Sequence, residues 1–205
     1  MTAREVPTPL GPARVHVTEP AGGVTGTLVL GHGAGGGVDS ADLTAVTTAA
    51  AGAGWRVLVV EQPWRVAGRR IAPAPPRLDE GWTAVLAEVD LAGPLVLGGR
   101  SAGARVACRT ASAQGAAGVL ALAFPLHPPG RPDKSRAAEL RGVDVPLLVV
   151  QGETDAFGRP ADVEAALAGH AGVVRGVPGD HRLTKDAAAV AAAVTDWLAR
   201  APWIR

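Results

Sequence analysis

Between Leu95 and Gly103 the chain reads Leu-Val-Leu-Gly-Gly-Arg-Ser-Ala-Gly. A short apolar run passes through Gly99-Arg100-Ser101-Ala102-Gly103 into a stretch of helical composition. A serine with a glycine two residues away on each side, between a strand and a helix, restricts the fold severely. The turn must be sharp enough to lift the hydroxyl clear of the backbone, ahead of the helix N-terminus. A Cβ at either flanking position is expected to clash inside such a turn, so glycine is required there.

The rest of the chain supplies the sheet that such a turn needs. Five short Val/Leu-rich runs, Thr27–Leu30, Arg56–Val60, Leu95–Leu97, Val119–Phe124 and Leu147–Val150, do not alternate between apolar and polar. That pattern predicts strands buried on both faces of a parallel sheet. Between them lie Ala-rich stretches of helical length, Ser40–Ala53, Asp79–Asp90, Ala102–Ala113 and Pro160–Ala168. Repeated strand and helix is the α/β signature. Arg14–Thr18 alternates and reads as an edge strand, and Val173–Val177 as a short last strand. A final helix over Lys185–Arg200 is expected, with Thr184 as its N-cap and Asp186 in its first turn. Its Val190, Val194, Trp197 and Leu198 share one face. Two Pro/Gly-rich stretches, Pro63–Pro76 and Pro125–Pro132, follow strands and should border the C-terminal edge of the sheet, where open α/β folds bind ligands. Neither is long enough for a cap domain, so residues 1–205 are read as a single domain.

Composition closes off other classes. With a net charge of +1, the chain makes no bulk electrostatic case for binding nucleic acid or a membrane surface. No apolar run approaches the length of a membrane span. Met1–Leu10 has no apolar core of a signal peptide, which makes a cytoplasmic location the expectation. The one cysteine, Cys108, permits no internal disulfide and reads as a small buried hydrophobe. The scattered histidines offer no metal-ligand cluster.

Four segments carry chemistry in a meaningful order. Ser101 is the candidate nucleophile. The run Leu147–Val150 leads into Gln151-Gly152-Glu153-Thr154-Asp155, where Asp155 is the candidate acid and Glu153 its local competitor. Gly179-Asp180-His181 falls after the last strand, and His181 is the candidate base, with Asp180 given to the turn. Serine, acid, histidine in that order along a doubly wound sheet is the order of an α/β-hydrolase fold. Acyl transfer also needs donors for the oxyanion. The amides of Ala102 and Ala34 are the candidates, Ala34 lying in the loop Gly31-His32-Gly33-Ala34-Gly35-Gly36-Gly37. That loop also satisfies G-x-G-x-x-G, and Glu61 ends the next strand, so a Rossmann-type oxidoreductase is the rival. It would leave Ser101, Asp155 and His181 without a role.

A further stretch, Phe124-Pro125-Leu126-His127-Pro128-Pro129-Gly130-Arg131-Pro132-Asp133-Lys134, is distinctive. With the Gly31–Gly37 loop and the segments around Ser101, Asp155 and His181, it resembles a family of small α/β hydrolases related to the dienelactone hydrolases. That family has many bacterial members, a testis-expressed animal protein and a subunit of an animal chromatin acetyltransferase complex. The resemblance runs from about Thr27 to Leu198. It implies Ser101, Asp155 and His181 as a catalytic triad, and the complex subunit keeps a catalytically silent interaction module as an alternative.

His32, Gly33, Trp64, Arg100 and His127 are expected to contact substrate, with Phe157 as an apolar wall. Arg65, Arg69, Arg70, Arg100, Arg131, Lys134 and Arg182 all fall at the same sheet edge. Arginine suits carboxylate or phosphate, so a small acyl ester or thioester carrying an anionic group is the expected substrate. No cofactor is called for.

Overall fold

The structure is a computed structural model that describes residues 2–200. Eight strands form one mixed sheet: β1 (Thr2–Val6), β2 (Ala13–Thr18), β3 (Gly26–Gly31), β4 (Trp55–Glu61), β5 (Leu95–Arg100), β6 (Gly118–Leu122), β7 (Leu147–Gly152) and β8 (Val173–Val177). Their spatial order is β1-β2-β4-β3-β5-β6-β7-β8. The first two strands run antiparallel to their neighbours, and β3 through β8 are parallel.

The non-alternating strands are apolar on both faces because each face is covered. Leu28 and Leu30 of β3, Val57 and Val59 of β4, and Leu148 and Val150 of β7 join one core with α1 (Ala41–Gly52) and α7 (Ala187–Arg200). Their neighbours Val29, Leu58, Val60, Leu147 and Val149 join the opposite core. There they meet α3 (Pro75–Glu88) and α4 (Ala102–Thr110), and with them α2 (Pro63–Val66), α5 (Ala137–Arg141) and α6 (Pro160–Ala166). No lid domain interrupts the C-terminal edge. No helix among the described residues is long and apolar enough to cross a membrane.

Several boundaries depart from the sequence reading. α3 starts at Pro75 rather than Asp79, since proline at the first helical position loses no hydrogen bond. α7 starts at Ala187, and its cap is Asp186, whose Oδ1 accepts the Ala189 amide at 2.9 Å, in place of Thr184. The strand β1 was not foreseen, because only Val6 of its five residues is buried. The stretch Pro63–Pro76 contains α2 and the start of α3. Pro125–Pro132 leads into a single 3-10 turn, Pro132–Lys134.

Candidate active site

Ser101 sits between β5 and α4 with φ 53° and ψ −107°. An L-residue held there is strained by about 1–3 kcal/mol. The surroundings hold the strain in place. The Ser101 amide donates to Leu122 O of β6 at 2.9 Å, and Ser101 O accepts the Arg105 amide at 3.1 Å, which begins α4. The glycines are required for a reason the sequence did not reveal. A Cβ on Gly99 would stand 2.8 Å from Gly31 N, and one on Gly103 2.9 Å from Gly31 Cα. The serine turn is therefore packed onto the end of β3, which carries the Gly31–Gly37 loop, and the main clash lies there rather than within the turn.

Three side chains form an unbroken hydrogen-bonded chain. His181 Nδ1 lies 2.8 Å from Asp155 Oδ2, and His181 Nε2 lies 2.9 Å from Ser101 Oγ. The Asp155 carboxylate only accepts, so the imidazole proton belongs on Nδ1 and the Ser101 hydroxyl donates to Nε2. Asp155 is buried, and two further donors fix it. The Phe157 amide donates to Oδ1 at 2.8 Å and Gln151 Nε2 to Oδ2 at 2.9 Å. Gln151 Nε2 also lies within hydrogen-bond distance of Phe124 O and Gly158 O. Facing three acceptors, it must be the amide nitrogen. The Phe157 ring covers the imidazole at a centroid distance of 4.2 Å.

Backbone contacts tie the acid loop to the histidine loop. Gly179 O accepts both the amide and the hydroxyl of Thr154 at 2.9 Å, and a Cβ on Gly152 would stand 2.7 Å from Gly179 O. Asp180 Oδ1 accepts the Arg182 amide at 2.9 Å, which places Asp180 in the turn as expected. Glu153, the competitor of Asp155, is exposed.

The Gly31–Gly37 loop is braced from below. His32 is buried, with its Nδ1 2.8 Å from Gly33 O and its Nε2 accepting the Gln62 amide at 3.2 Å. Burial pushes its pKa down, against the opposing effect of the Gly33 hydrogen bond. With both ring nitrogens engaged, His32 supports the loop from beneath. Gly33 abuts the nucleophile, since a Cβ there would lie 3.5 Å from Ser101 Cβ. Ala34 follows Gly33 on the exposed rim, and Ala102 opens α4, where a helix leaves its first amides unpaired.

Arg100, the residue before the serine, braces the same loop. Its Nε lies 3.3 Å from Oδ2 of Asp42, whose side chain is fully buried in the first turn of α1. The same guanidinium underlies the loop, its terminal nitrogens 3.1 Å and 3.4 Å from the Cβ positions of Gly33 and Gly36. Its guanidinium therefore links Asp42 of α1 to the Gly31–Gly37 loop.

Trp64 is buried, packs its ring 5.5 Å from His32 and has Arg65 5.9 Å above it. It lines two cavities. The larger, about 200 Å³, includes Arg69 and Arg77. The smaller reaches Ala102. His127 is half-buried, with its Nδ1 donating to Pro128 O at 3.0 Å and its amide to Phe157 O at 3.0 Å. Among the described residues no hydrogen bond or ion pair joins it to Ser101, Asp155 or His181. Its segment instead backs the acid loop. Glu61, the ribose-binding acid of the dinucleotide alternative, is paired with Arg14 at 3.2 Å. α1 starts ten residues after Gly31 (41 − 31), so the glycine loop does not open a helix onto a phosphate. Cys108 is buried, which pushes its thiol up to about 12.

These features define a serine-centred α/β fold, and the chain belongs to the alpha/beta hydrolase domain family, whose model matches residues 24–198. Among solved structures it is similar to an α/β serine hydrolase homologue from Coxiella burnetii, with 22% identity and TM-score 0.74 over 93% of this chain and 96% of that one. A Xanthomonas campestris protein described as an α/β serine hydrolase without lid gives 22% identity and TM-score 0.74 over 98% and 95%. Est1E from Butyrivibrio proteoclasticus gives 14% identity and TM-score 0.81 over 97% and 98%, and has also been solved with ferulic acid bound. At these identities the likeness establishes the fold. Comparison with curated proteins finds no match.

Proposed function

We propose that the protein is a serine hydrolase that cleaves a small acyl ester through an acyl-enzyme on Ser101. The observation that carries this reading is the Ser101–His181–Asp155 chain, with links of 2.9 Å and 2.8 Å. His181 Nε2 takes the Ser101 proton as Oγ attacks the carbonyl carbon. Asp155 holds the imidazole in the tautomer that leaves Nε2 free and stabilises the imidazolium that forms. The amides of Ala102 and Ala34 face the developing oxyanion. His181 then protonates the departing alcohol. In the second half, water attacks the acyl carbon, giving its proton to His181, and Ser101 leaves with that proton as the carboxylic acid departs. No cofactor enters.

The Pro125–Gly130 stretch supports placing the chain with the small hydrolases that include the testis-expressed animal protein and the acetyltransferase-complex subunit. A silent interaction module is the less economical reading, because it gives no account of a strained serine within reach of an imidazole held by a buried carboxylate. The charge of the sheet edge supports an anionic group on the substrate. Among the described residues Arg69, Arg70, Lys134 and Arg182 form no ion pair, whereas Arg100 is held by Asp42 and Arg131 by Asp133.

Stopped-flow hydrolysis of p-nitrophenyl acetate tests the reading. A burst of one nitrophenolate per Ser101, absent in Ser101→Ala, is expected. Equal hydrolysis by wild type and Ser101→Ala would refute it. Neutral and anionic esters of equal reactivity should differ in kcat/KM, with the gap closing in high salt. Equal values would remove the anionic group from the account.

A further inference from the structure

The larger cavity beside Trp64 lies at the end of β4. Pro9 and Leu10, in the turn between β1 and β2, form one wall, and Trp64 of α2 forms another. Arg69, Pro73 and Arg77 close it along the loop that leads into α3. The cavity encloses about 200 Å³. Among the described residues neither Ser101, Asp155 nor His181 lines it. In the sheet β4 lies two positions from β5, about 10 Å across from the strand that leads into Ser101.

Its walls are held in place by the chain itself. Thr8 Oγ1 donates to Gly11 O at 2.6 Å and accepts the Leu10 amide at 3.1 Å, which shapes the turn. The Arg69 amide donates to Trp64 O at 3.0 Å, which ties the loop back onto α2. Pro9 and Pro73 are stiff and offer no amide donor. Recognition of a polar group therefore falls to side chains, and the charged ones are all cationic. Residues 62–78 hold Arg65, Arg69, Arg70 and Arg77 and no Asp or Glu, and residues 7–12 hold no charged side chain. The flanking carboxylates are engaged elsewhere, Glu61 with Arg14 at 3.2 Å and Asp79 with Arg109 at 2.6 Å. Glu80 meets Arg77 at 3.0 Å, but as an exposed i,i+3 pair of the weak kind that a bound anion displaces. Among the described residues Arg69 forms no ion pair, and the buried Trp64 Nε1 has no acceptor.

We propose that this cavity binds a small aromatic carboxylate, at a site separate from the triad. A cavity of about 150 Å³ is enough to hold a benzene ring. The remaining ~50 Å³ leaves room for one carboxylate. The ring packs against Leu10, Trp64 and Pro73, and the carboxylate accepts from the guanidinium groups of Arg69 and Arg77, whose planar forks suit it. Neither half is sufficient. A neutral ring gives the arginines nothing in exchange for water, and a bare inorganic anion leaves the apolar walls uncovered. Binding here needs nothing from Ser101, so the proposal goes beyond the hydrolase reading and does not rest on it.

Isothermal titration calorimetry of the full chain with sodium benzoate tests the site. Wild type and Ser101→Ala should each bind one benzoate per chain with the same Kd. Arg69→Gln and Arg77→Gln alter exposed side chains, and circular dichroism would verify that both variants fold. Each should weaken benzoate binding about tenfold, the loss of one charge-assisted contact. Benzyl alcohol keeps the ring without the charge, and inorganic phosphate keeps the charge without the ring. Each should bind wild type at least about tenfold more weakly than benzoate. No binding by wild type at millimolar benzoate, or an unchanged Kd in both folded arginine variants, would overturn the site. Loss of binding in Ser101→Ala would place the benzoate at the triad and overturn the separate site. Phosphate or benzyl alcohol binding as tightly as benzoate would overturn the ligand class.

Discussion

Replacing Arg100 with methionine would strand the Asp42 carboxylate. The Asp42 side chain is fully buried, and neither of its oxygens has a hydrogen bond from any other described residue. Its one counter-charge is the Arg100 guanidinium, 3.3 Å away. Removing one partner of a buried pair costs about 3–5 kcal/mol, because the survivor keeps its charge without water or partner. Asp42 lies in the first turn of α1, where the helix dipole offsets about 1 kcal/mol. A loss of about 2–4 kcal/mol is therefore expected. The reciprocal change is milder. Arg100 keeps a side-chain exposure of 12% against none for Asp42, so its charge is the less deeply buried of the two and Asp42→Asn should cost about 1–2 kcal/mol. The double variant should cost less than the sum, since neither charge is stranded. Urea unfolding of the four proteins gives the cycle directly. Additive losses, or Asp42→Asn costing more than Arg100→Met, would refute the reasoning. Because Gly33 and Gly36 rest on the guanidinium, Arg100→Met should also lower ester turnover by about 10- to 100-fold in protein that remains folded.

Other consequences are equally specific. Asp155→Asn should lower kcat by about 10⁴ with little change in KM, since an amide at this position favours the wrong imidazole tautomer; steady-state kinetics on an activated ester would check it. Gly99→Ala should destabilise by about 3 kcal/mol or prevent folding, because the new Cβ would meet the Gly31 backbone, as thermal unfolding would reveal. His32 introduces a pH dependence of stability. Its folded-state pKa lies below the ordinary 6.5, so as pH falls the unfolded chain takes up the proton first. Its contribution is fully present above about pH 6.5 and is lost below it, until the folded imidazole also protonates. His32→Gln should flatten the decline of the urea midpoint between pH 7 and pH 5, and an unchanged slope would count against the buried neutral imidazole.

The central strands were legible because burial on both faces leaves a continuous Val/Leu run that needs no partner to be recognised. Residues Val173–Val177 were placed as β8 in full. The Ser101, Asp155 and His181 positions were legible because each follows a strand, so topology alone carries them to one edge. The strand β1 was hidden since four of its five residues face solvent. The role of Gln151 is not legible in the sequence, for nothing local marks an amide that will face three acceptors. The fate of Arg100 was hidden for a similar reason. Its partner Asp42 lies 58 residues earlier (100 − 42) and is indistinguishable in sequence from an ordinary acidic residue near a helix start. Sequence shows which residues arrive at the sheet edge, but whether a side chain there faces substrate or scaffold depends on contacts between distant segments.

The central claim is that Ser101 is an activated nucleophile. Intact-mass analysis after treatment with a fluorophosphonate, on wild type and Ser101→Ala, tests it most directly. The account predicts one adduct per wild-type chain and none on Ser101→Ala. Folded wild type that takes up no adduct, or a Ser101→Ala variant that labels equally, would contradict it.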